Sequence, residues 1–368
     1  MKFSVSRDDL LKPLQLVSGV VERRQTLPIL GNVLIVLEGN QLSLTATDLE
    51  VEIVARLTIE QMGESGEITV PARKFADICR ALPEGAEIKV GEDQDKLTVR
   101  SGSSRFSLST MPSSDFPNVE EGQGQLTFRC PQSVLKRLID STAFAMAQQD
   151  VRYYLNGMLW EASQNQLRTV ATDGHRLAMC TQVADIVSDQ KTQVVVPRKG
   201  VLELSRLLED DDAASATLSI GDKHMQVTTD KYTFITKLVD GKFPDYEKVV
   251  PRGGQHVVLG ERALMKQAFS RVAILSNEKY RGVRVTLSDN NLSMVANNPE
   301  QDEAEEHLPV KYQGAKLELG FNINYLLDLT NGLDSEQIKV TFVDANTGVL
   351  VEETDRDDSA YVIMPMRL

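Results

Sequence analysis

Asp173 stands two residues before His175, a spacing at which a carboxylate could orient an imidazole for proton transfer. Asp48 closes a similar segment earlier in the chain and would give that chemistry a second copy. Other features count against catalysis. The third such segment ends in Asn297-Asn298, which has no acid–base capacity, and an aspartate after a strand commonly closes a turn. His175 has no G-x-S-x-G nucleophile motif near it. The chain holds no phosphate loop, dinucleotide fingerprint or metal motif. Cys79, Cys130 and Cys180 are odd in number, far apart and outside any metal-ligand spacing, so they read as reduced thiols. The expectation is a protein without catalytic residues, metal or cofactor.

The elements that carry these residues recur. At 368 residues the chain is long enough for two or three domains, and 41% hydrophobic residues allow each a core. Four landmarks appear in the same order in each third. An amphipathic helix opens at Leu10-Leu11-Lys12, Val134-Leu135-Lys136 and Leu264-Met265-Lys266. A strand ending in a polar turn reads LSLTATD at 42–48, LRTVATD at 167–173 and LSMVANN at 292–298. A strand running into a second helix starts at residues 68, 194 and 317. A late strand centres on Phe106, Phe234 and Tyr361. The reading is an α+β fold of three tandem units, 1–124, 125–254 and 255–368, each with two helices packed on antiparallel sheets. Pro71 and Pro197 fall where a strand stops and a helix starts, a place that tolerates a missing N–H.

Net charge is −13, which would repel DNA if spread evenly. It is not spread evenly. The six predicted helices (7–20, 72–82, 132–147, 198–208, 261–275 and 323–332) carry thirteen basic and seven acidic residues, a net +6 that leaves −19 elsewhere. Arg73 and Arg80, like Lys199 and Arg206, are seven apart and share a helix face. Val201, Leu204, Leu207 and Leu208 form the apolar face opposite. With no base-reading motif, such a set suits contact with phosphate; the candidates are Arg73, Arg80, Lys136, Arg137, Arg198, Lys199 and Lys266. A sequence-specific regulator would need a recognition helix, and none is visible. The N-terminal residues alternate like a strand and lack a signal peptide's apolar core, and no stretch approaches the roughly 18 apolar residues of a membrane helix. A cytoplasmic protein is expected.

Several segments carry a resemblance: LLKPLQLVSGVVERRQTLPILGNVL, VPARKFADICRALPEGAEI, AQQDVRYYLNGML, VATDGHRLAM, KLVDGKFPDYEKVVP, AILSNEKYRGVR, ANNPEQDEAEE and AYVIMPMRL. Over essentially its whole length the chain resembles the bacterial sliding clamps, the beta subunits of DNA polymerase III. The resemblance implies a head-to-tail homodimer whose six domains close a ring around double-stranded DNA, without sequence specificity. It adds Arg24, Gln149, Tyr153 and Tyr154 to Arg73 as DNA-binding residues. It also implies a groove in which the polymerase III alpha subunit, the clamp loader, other polymerases and repair proteins dock a short linear peptide. The groove positions are Arg152, Tyr154, Thr172, Gly174, His175, Arg176, Leu177, Pro244, Val249, Asn322, Tyr325, Val362, Met364, Pro365, Met366 and Arg367. An apolar tail with two Met suits a surface accepting varied peptides. At the seam between copies, Phe106 and Leu108 would meet Ile274 and Leu275, while Lys74 and Arg105 would face Glu300, Asp302, Glu303, Glu305 and Glu306.

Overall fold

The structure, a computed structural model, describes residues 1–21, 27–117, 124–188 and 190–367. The first repeat runs β1 (Lys2–Ser6), α1 (Arg7–Ser18), β2 (Asn32–Glu38), β3 (Gln41–Thr47), β4 (Val51–Thr58), β5 (Gly66–Pro71), α2 (Ala72–Ala81), β6 (Glu87–Asp93), β7 (Lys96–Ser101) and β8 (Ser104–Ser109). The second runs β9 (Leu126–Pro131), α3 (Gln132–Asp140), β10 (Gly157–Ser163), β11 (Gln166–Thr172), β12 (Arg176–Val183), β13 (Thr192–Pro197), α4 (Arg198–Leu207), β14 (Ser215–Ile220), β15 (His224–Thr228) and β16 (Tyr232–Lys237). The third runs β17 (His256–Glu261), α5 (Arg262–Ala273), β18 (Gly282–Ser288), β19 (Asn291–Asn297), β20 (Glu303–Pro309), β21 (Leu317–Asn322), α6 (Ile323–Gly332), β22 (Gln337–Phe342), β23 (Val349–Glu353) and β24 (Ser359–Ile363). The order β-α-β-β-β-β-α-β-β-β occurs three times, as the landmarks implied.

In each unit the start of the first helix is tied to the residue just before the strand that follows the second helix. The N–H groups of Arg7, Gln132 and Arg262 donate to the carbonyls of Ala86, Ala214 and Glu336. The Arg7 guanidinium also donates to the Cys79 and Arg80 carbonyls, and Arg262 to those of Ser335 and Thr330. These two cations cap helix ends, where carbonyls lack intrahelical partners. The apolar face read on α4 is buried: Val201, Leu204, Leu207 and Leu208 are each under 7% exposed. Five of the six helices are shorter than expected, α3 most of all. α1 stops at Ser18, whose hydroxyl donates back to the Leu14 carbonyl, and keeps buried Pro13 within it. α3 stops at Asp140 rather than 147. The Leu138 carbonyl accepts from the hydroxyls of Thr142 and Thr169, and Ala143–Ala145 tighten into a 3-10 turn.

The sheets cross the repeats. One eight-stranded sheet has the order β5-β2-β3-β4-β16-β15-β14-β9, and another β13-β10-β11-β12-β24-β23-β22-β17. In each, the fourth strand of one repeat (β4 or β12) pairs antiparallel with the last strand of the next (β16 or β24). The other two sheets have four strands, β1-β6-β7-β8 and β20-β19-β18-β21. β20 matches β4 and β12, and β8 matches β16 and β24, but among the described residues each is an edge strand. The chain packs as two compact units, 1–132 with 202–238 and 133–201 with 239–368. The second repeat divides between them because its strands serve two different sheets.

The three cysteines are free and buried; burial pushes the Cys79 and Cys130 thiols up to about 12 and Cys180 to about 11. Among the described residues, no helix is long and apolar enough to cross a membrane.

Candidate partner groove and nucleic-acid interface

The turn that suggested acid–base chemistry is structural. The Asp173 carboxylate accepts the N–H groups of His175 (2.9 Å) and Arg176 (3.0 Å) and the Arg176 Nε–H (3.1 Å). Asp48 accepts from Glu50 and Val51 N–H in the same way, and Asn298 from Asp302 N–H. A side-chain oxygen closing the turn is what all three repeats share, so asparagine serves as well as aspartate. Gly174 has φ +90°, a conformation that favours glycine, and the Arg152 guanidinium lies over it.

Around this turn the pairing of β12 with β24 sets Leu177 opposite Val362, both almost fully buried. They join Leu155, Leu159, Val170, Phe243 and Tyr246 in one apolar cluster, with Tyr154, Val250, Leu350 and Met364 packed partly exposed against it. Burying one such aliphatic side chain contributes about 1.5–3 kcal/mol, so the floor is firm. Beyond β24 the backbone stays tethered: Met364 N–H donates to the His175 carbonyl and Met366 N–H to that of Gly320, both at 2.8 Å. Pro365 is half-buried and Arg367 exposed. Pro244 and Val249 stand exposed on the rim. The cluster brings together Tyr154, Leu177, Val362 and Met364, four of the positions at which the resemblance places a groove.

A second cluster lies around Arg176. Its guanidinium reaches Asp328 on α6 (2.5 Å), the Phe144 carbonyl (2.8 Å) and the face of Tyr325, 4.5 Å from the ring centre. His175 stacks on the same ring, with centres 6.4 Å apart. Asn322 caps α6 by accepting from Asn324 N–H. The Thr172 hydroxyl donates to the Arg176 carbonyl at 2.6 Å. Thr172, Arg176 and Asn322 therefore hold the walls in shape.

The 148–154 loop splits its roles. Arg152 is tied to Asp150 and to the Asp173 carbonyl, and its guanidinium holds the Asp150 carboxyl at about 2. Gln149 is exposed with φ +56°. Tyr153 is 57% exposed, whereas Tyr154 meets it edge-on and packs on the groove cluster. Tyr153 is thus the freer ring for a ligand.

The helix cations are less uniform than the sequence suggested. Arg24 lies outside the described residues. Arg73 is exposed and donates to the Val21 carbonyl; Lys74 and Lys266 are exposed without an ion pair among the described residues. Arg80 and Lys136 pair with Asp77 and Asp140 on their own helices, and Lys199 is half-buried with a partner. Arg198 donates weakly to the Met146 carbonyl, and burial and the nearby Arg176 cation lower its proton affinity. Arg137 departs from the expectation. Its guanidinium is committed to Asp334, Glu353 and Asp358, because α3 faces the β22–β24 carboxylates. It acts as a structural cation whose charge is already paired within the chain.

Of the seam residues, Ile274 is 75% exposed and Leu275 half-buried; Phe106 is half-buried and Leu108 8% exposed. Arg105, Glu300, Glu303 and Glu305 are exposed. Glu306 differs: Arg271 of the same chain binds it at 2.5 and 3.0 Å, so it is already neutralised.

Sequence reasoning missed Leu155, Phe243 and Tyr246 in the groove floor. The one signal was the aromatic pair flanking Pro244 in KFPDYEKV.

A triplicated α+β fold with two unpaired sheet edges among the described residues and a partly exposed apolar cluster defines the class, a repeat-built binding scaffold. The chain matches the family models described as DNA polymerase III beta subunit, N-terminal domain (residues 1–120), central domain (129–245) and C-terminal domain (247–367). It is 59% identical over 368 residues to the beta sliding clamp of Pseudomonas aeruginosa, covering all of both chains. The crystal structure of the DNA polymerase III subunit beta from that organism superposes with a TM-score of 0.98, again at 59% identity and over both full chains. A structure of the P. aeruginosa sliding clamp bound to griselimycin matches equally, with a TM-score of 0.98, 59% identity and full coverage of both. The chain belongs to the DNA polymerase III beta subunit family.

Proposed function

We propose that this chain is a DNA sliding clamp, a non-catalytic processivity subunit acting in the cytoplasm. Two copies close head to tail around duplex DNA, hold the replicative polymerase to its template, and dock the clamp loader and repair proteins through the groove. The division at 1–124, 125–254 and 255–368 follows the repeat, and six such domains complete the ring. One observation carries this reading: the two joints inside the chain, β4 with β16 and β12 with β24, leave a matching unpaired edge at β8 and another at β20. Pairing β8 of one copy with β20 of the next repeats the same joint, and a heterologous contact that closes leaves no free edge. In register with the internal joints, Phe106 falls opposite Ala304 and Arg105 opposite Glu305. The exposed helix cations Arg73, Lys74 and Lys266 offer phosphate contacts, and Gln149 and Tyr153 offer a further contact to the strand.

The decisive measurement uses a loaded plasmid. Protein placed on circular DNA by a clamp loader should survive a rise in salt, then leave rapidly once the DNA is cut. Ordinary phosphate binding behaves otherwise: with 6–10 phosphate contacts it loses about 10³–10⁵ in affinity between 50 and 200 mM salt, whatever the DNA topology. Equal retention on circular and linear DNA would refute the topological link.

A further inference from the structure

Against the groove floor lies a polar cluster built around a buried carboxylate. Glu161, on β10, is 3% exposed. Its carboxylate accepts from Lys191 Nζ (2.8 Å), from Gln193 Nε2 (2.7 Å) and from the Tyr246 hydroxyl (3.2 Å to each oxygen). Arg168, on β11, donates through Nη1 to that hydroxyl at 2.9 Å and through Nε to the Thr181 hydroxyl at 2.7 Å. Burial pushes the Glu161 carboxyl up, but the bonds from Lys191, Gln193 and Tyr246 outweigh it, and the group stays below its ordinary value. The Tyr246 ring packs with Leu155, Leu177, Phe243 and Val362. The residue is only 4% exposed.

The tyrosine thus has two sides. Its ring is part of the groove floor, and its hydroxyl is held by a carboxylate and a guanidinium fixed on a rigid sheet. Tyr246 itself lies on a short 3-10 turn, Tyr246–Lys248, between the rim residues Pro244 and Val249. Such a turn has little internal hydrogen bonding to fix its height. The anchor beneath is therefore well placed to set the height of the floor and the spacing of the rim.

We infer that Glu161 and Arg168 are positioning residues for partner binding: acting through the Tyr246 hydroxyl, they set the depth of the groove and the place of its Pro244–Val249 rim. The inference rests on the groove being the partner site. Glu161 and Arg168 meet the groove through the Tyr246 hydroxyl, so their effect on affinity is indirect. Because they act through one hydroxyl, losing either should overlap with losing that hydroxyl in Tyr246→Phe rather than add to it.

The test is calorimetric titration of the full-length protein with griselimycin at 25 °C, with melting curves to show each variant folded at that temperature. Val249→Asp puts a charge on the exposed rim and should remove binding; if it binds as wild type does, the groove reading itself fails. With that control behaving, Tyr246→Phe and Glu161→Ala should each weaken binding about tenfold, the scale of one lost hydrogen bond to a charged group. Glu161→Gln keeps an acceptor for the hydroxyl and should recover most of that loss. The Tyr246→Phe/Glu161→Ala double variant should bind no worse than the weaker single. A purely structural network would lower the melting temperature and leave affinity in the folded protein unchanged. Wild-type affinity in Tyr246→Phe and Glu161→Ala, with Val249→Asp dead, overturns the proposal, as does simple addition of the two losses.

Discussion

Phe106→Asp is expected to raise the dissociation constant between copies by about a hundredfold or more, equivalent to roughly 2.7 kcal/mol. Phe106 sits at the centre of β8, an edge strand whose outward backbone has no partner in the described chain. Its equivalents are buried at the internal joints: Phe234 pairs with Ile53 and Tyr361 with Ala178, and both aromatic rings are fully covered. Phe106 is more exposed than either, which fits the proposed pairing with Ala304 of another copy. A carboxylate there would be desolvated beside the acidic β20 strand, where like charges add to the cost. Sedimentation equilibrium measures the shift. The register gives a stricter check: Arg105→Glu should weaken association, and adding Glu305→Arg should restore most of it. A variant that stays dimeric at wild-type concentrations, or a charge swap without rescue, would rule out this joint.

The second large effect concerns stability. Arg137→Met should lower the unfolding free energy by about 3 kcal/mol, the lower part of the range for breaking a buried ion pair from one side. Glu353 has a fully buried side chain and faces the guanidinium at 2.8 Å. It would remain buried, still held by the Asp334 and Ser335 N–H groups and the hydroxyls of Ser335 and Ser359. Those bonds soften the loss. Asp334→Asn removes an exposed member of the same cluster and should cost less than about 1 kcal/mol. The pH dependence has a fixed sign. Burial pushes the Glu353 carboxyl up, yet the Ser335 and Asp334 N–H groups and the Arg137 cation outweigh it and hold it at about 2, below 4.5. A depressed carboxylate stabilises the fold fully above the unfolded value, and this contribution fades as pH falls from about 4.5 towards 2. It amounts to about 3 kcal/mol. Denaturant titrations at pH 7 and pH 3 should therefore differ less in Arg137→Met than in wild type.

Much of this architecture could be read beforehand, because local signals repeated. Pro71 and Pro197 mark strand-to-helix junctions in the structure, and the strands around Phe106, Phe234 and Tyr361 hold equivalent places. The apolar stripe of α4 is buried as its spacing implied. What stayed hidden was non-local. Arg137 reads as one more helix cation, since Asp334, Glu353 and Asp358 lie some two hundred residues away. Helical periodicity continues past Asp140, but the hydroxyls of Thr142 and Thr169 claim the Leu138 carbonyl and end α3. The groove's outline was legible only through family resemblance. Its floor was not, because Phe243 and Tyr246 lie in a segment without periodicity, and Tyr246 gains its place from a carboxylate on a distant strand.

The three joints that each copy contributes to the proposed ring differ in one respect. Two are bridged by the polypeptide itself, so a strand that peels away at β4–β16 or β12–β24 stays leashed to its neighbour and finds it again at high effective concentration. The meeting of β8 and β20 has no leash. Every turn of the assembly that threads DNA must therefore use that place as its door, and a loading machine need only hold one unleashed pair of strands apart while the rest of the circle keeps its form.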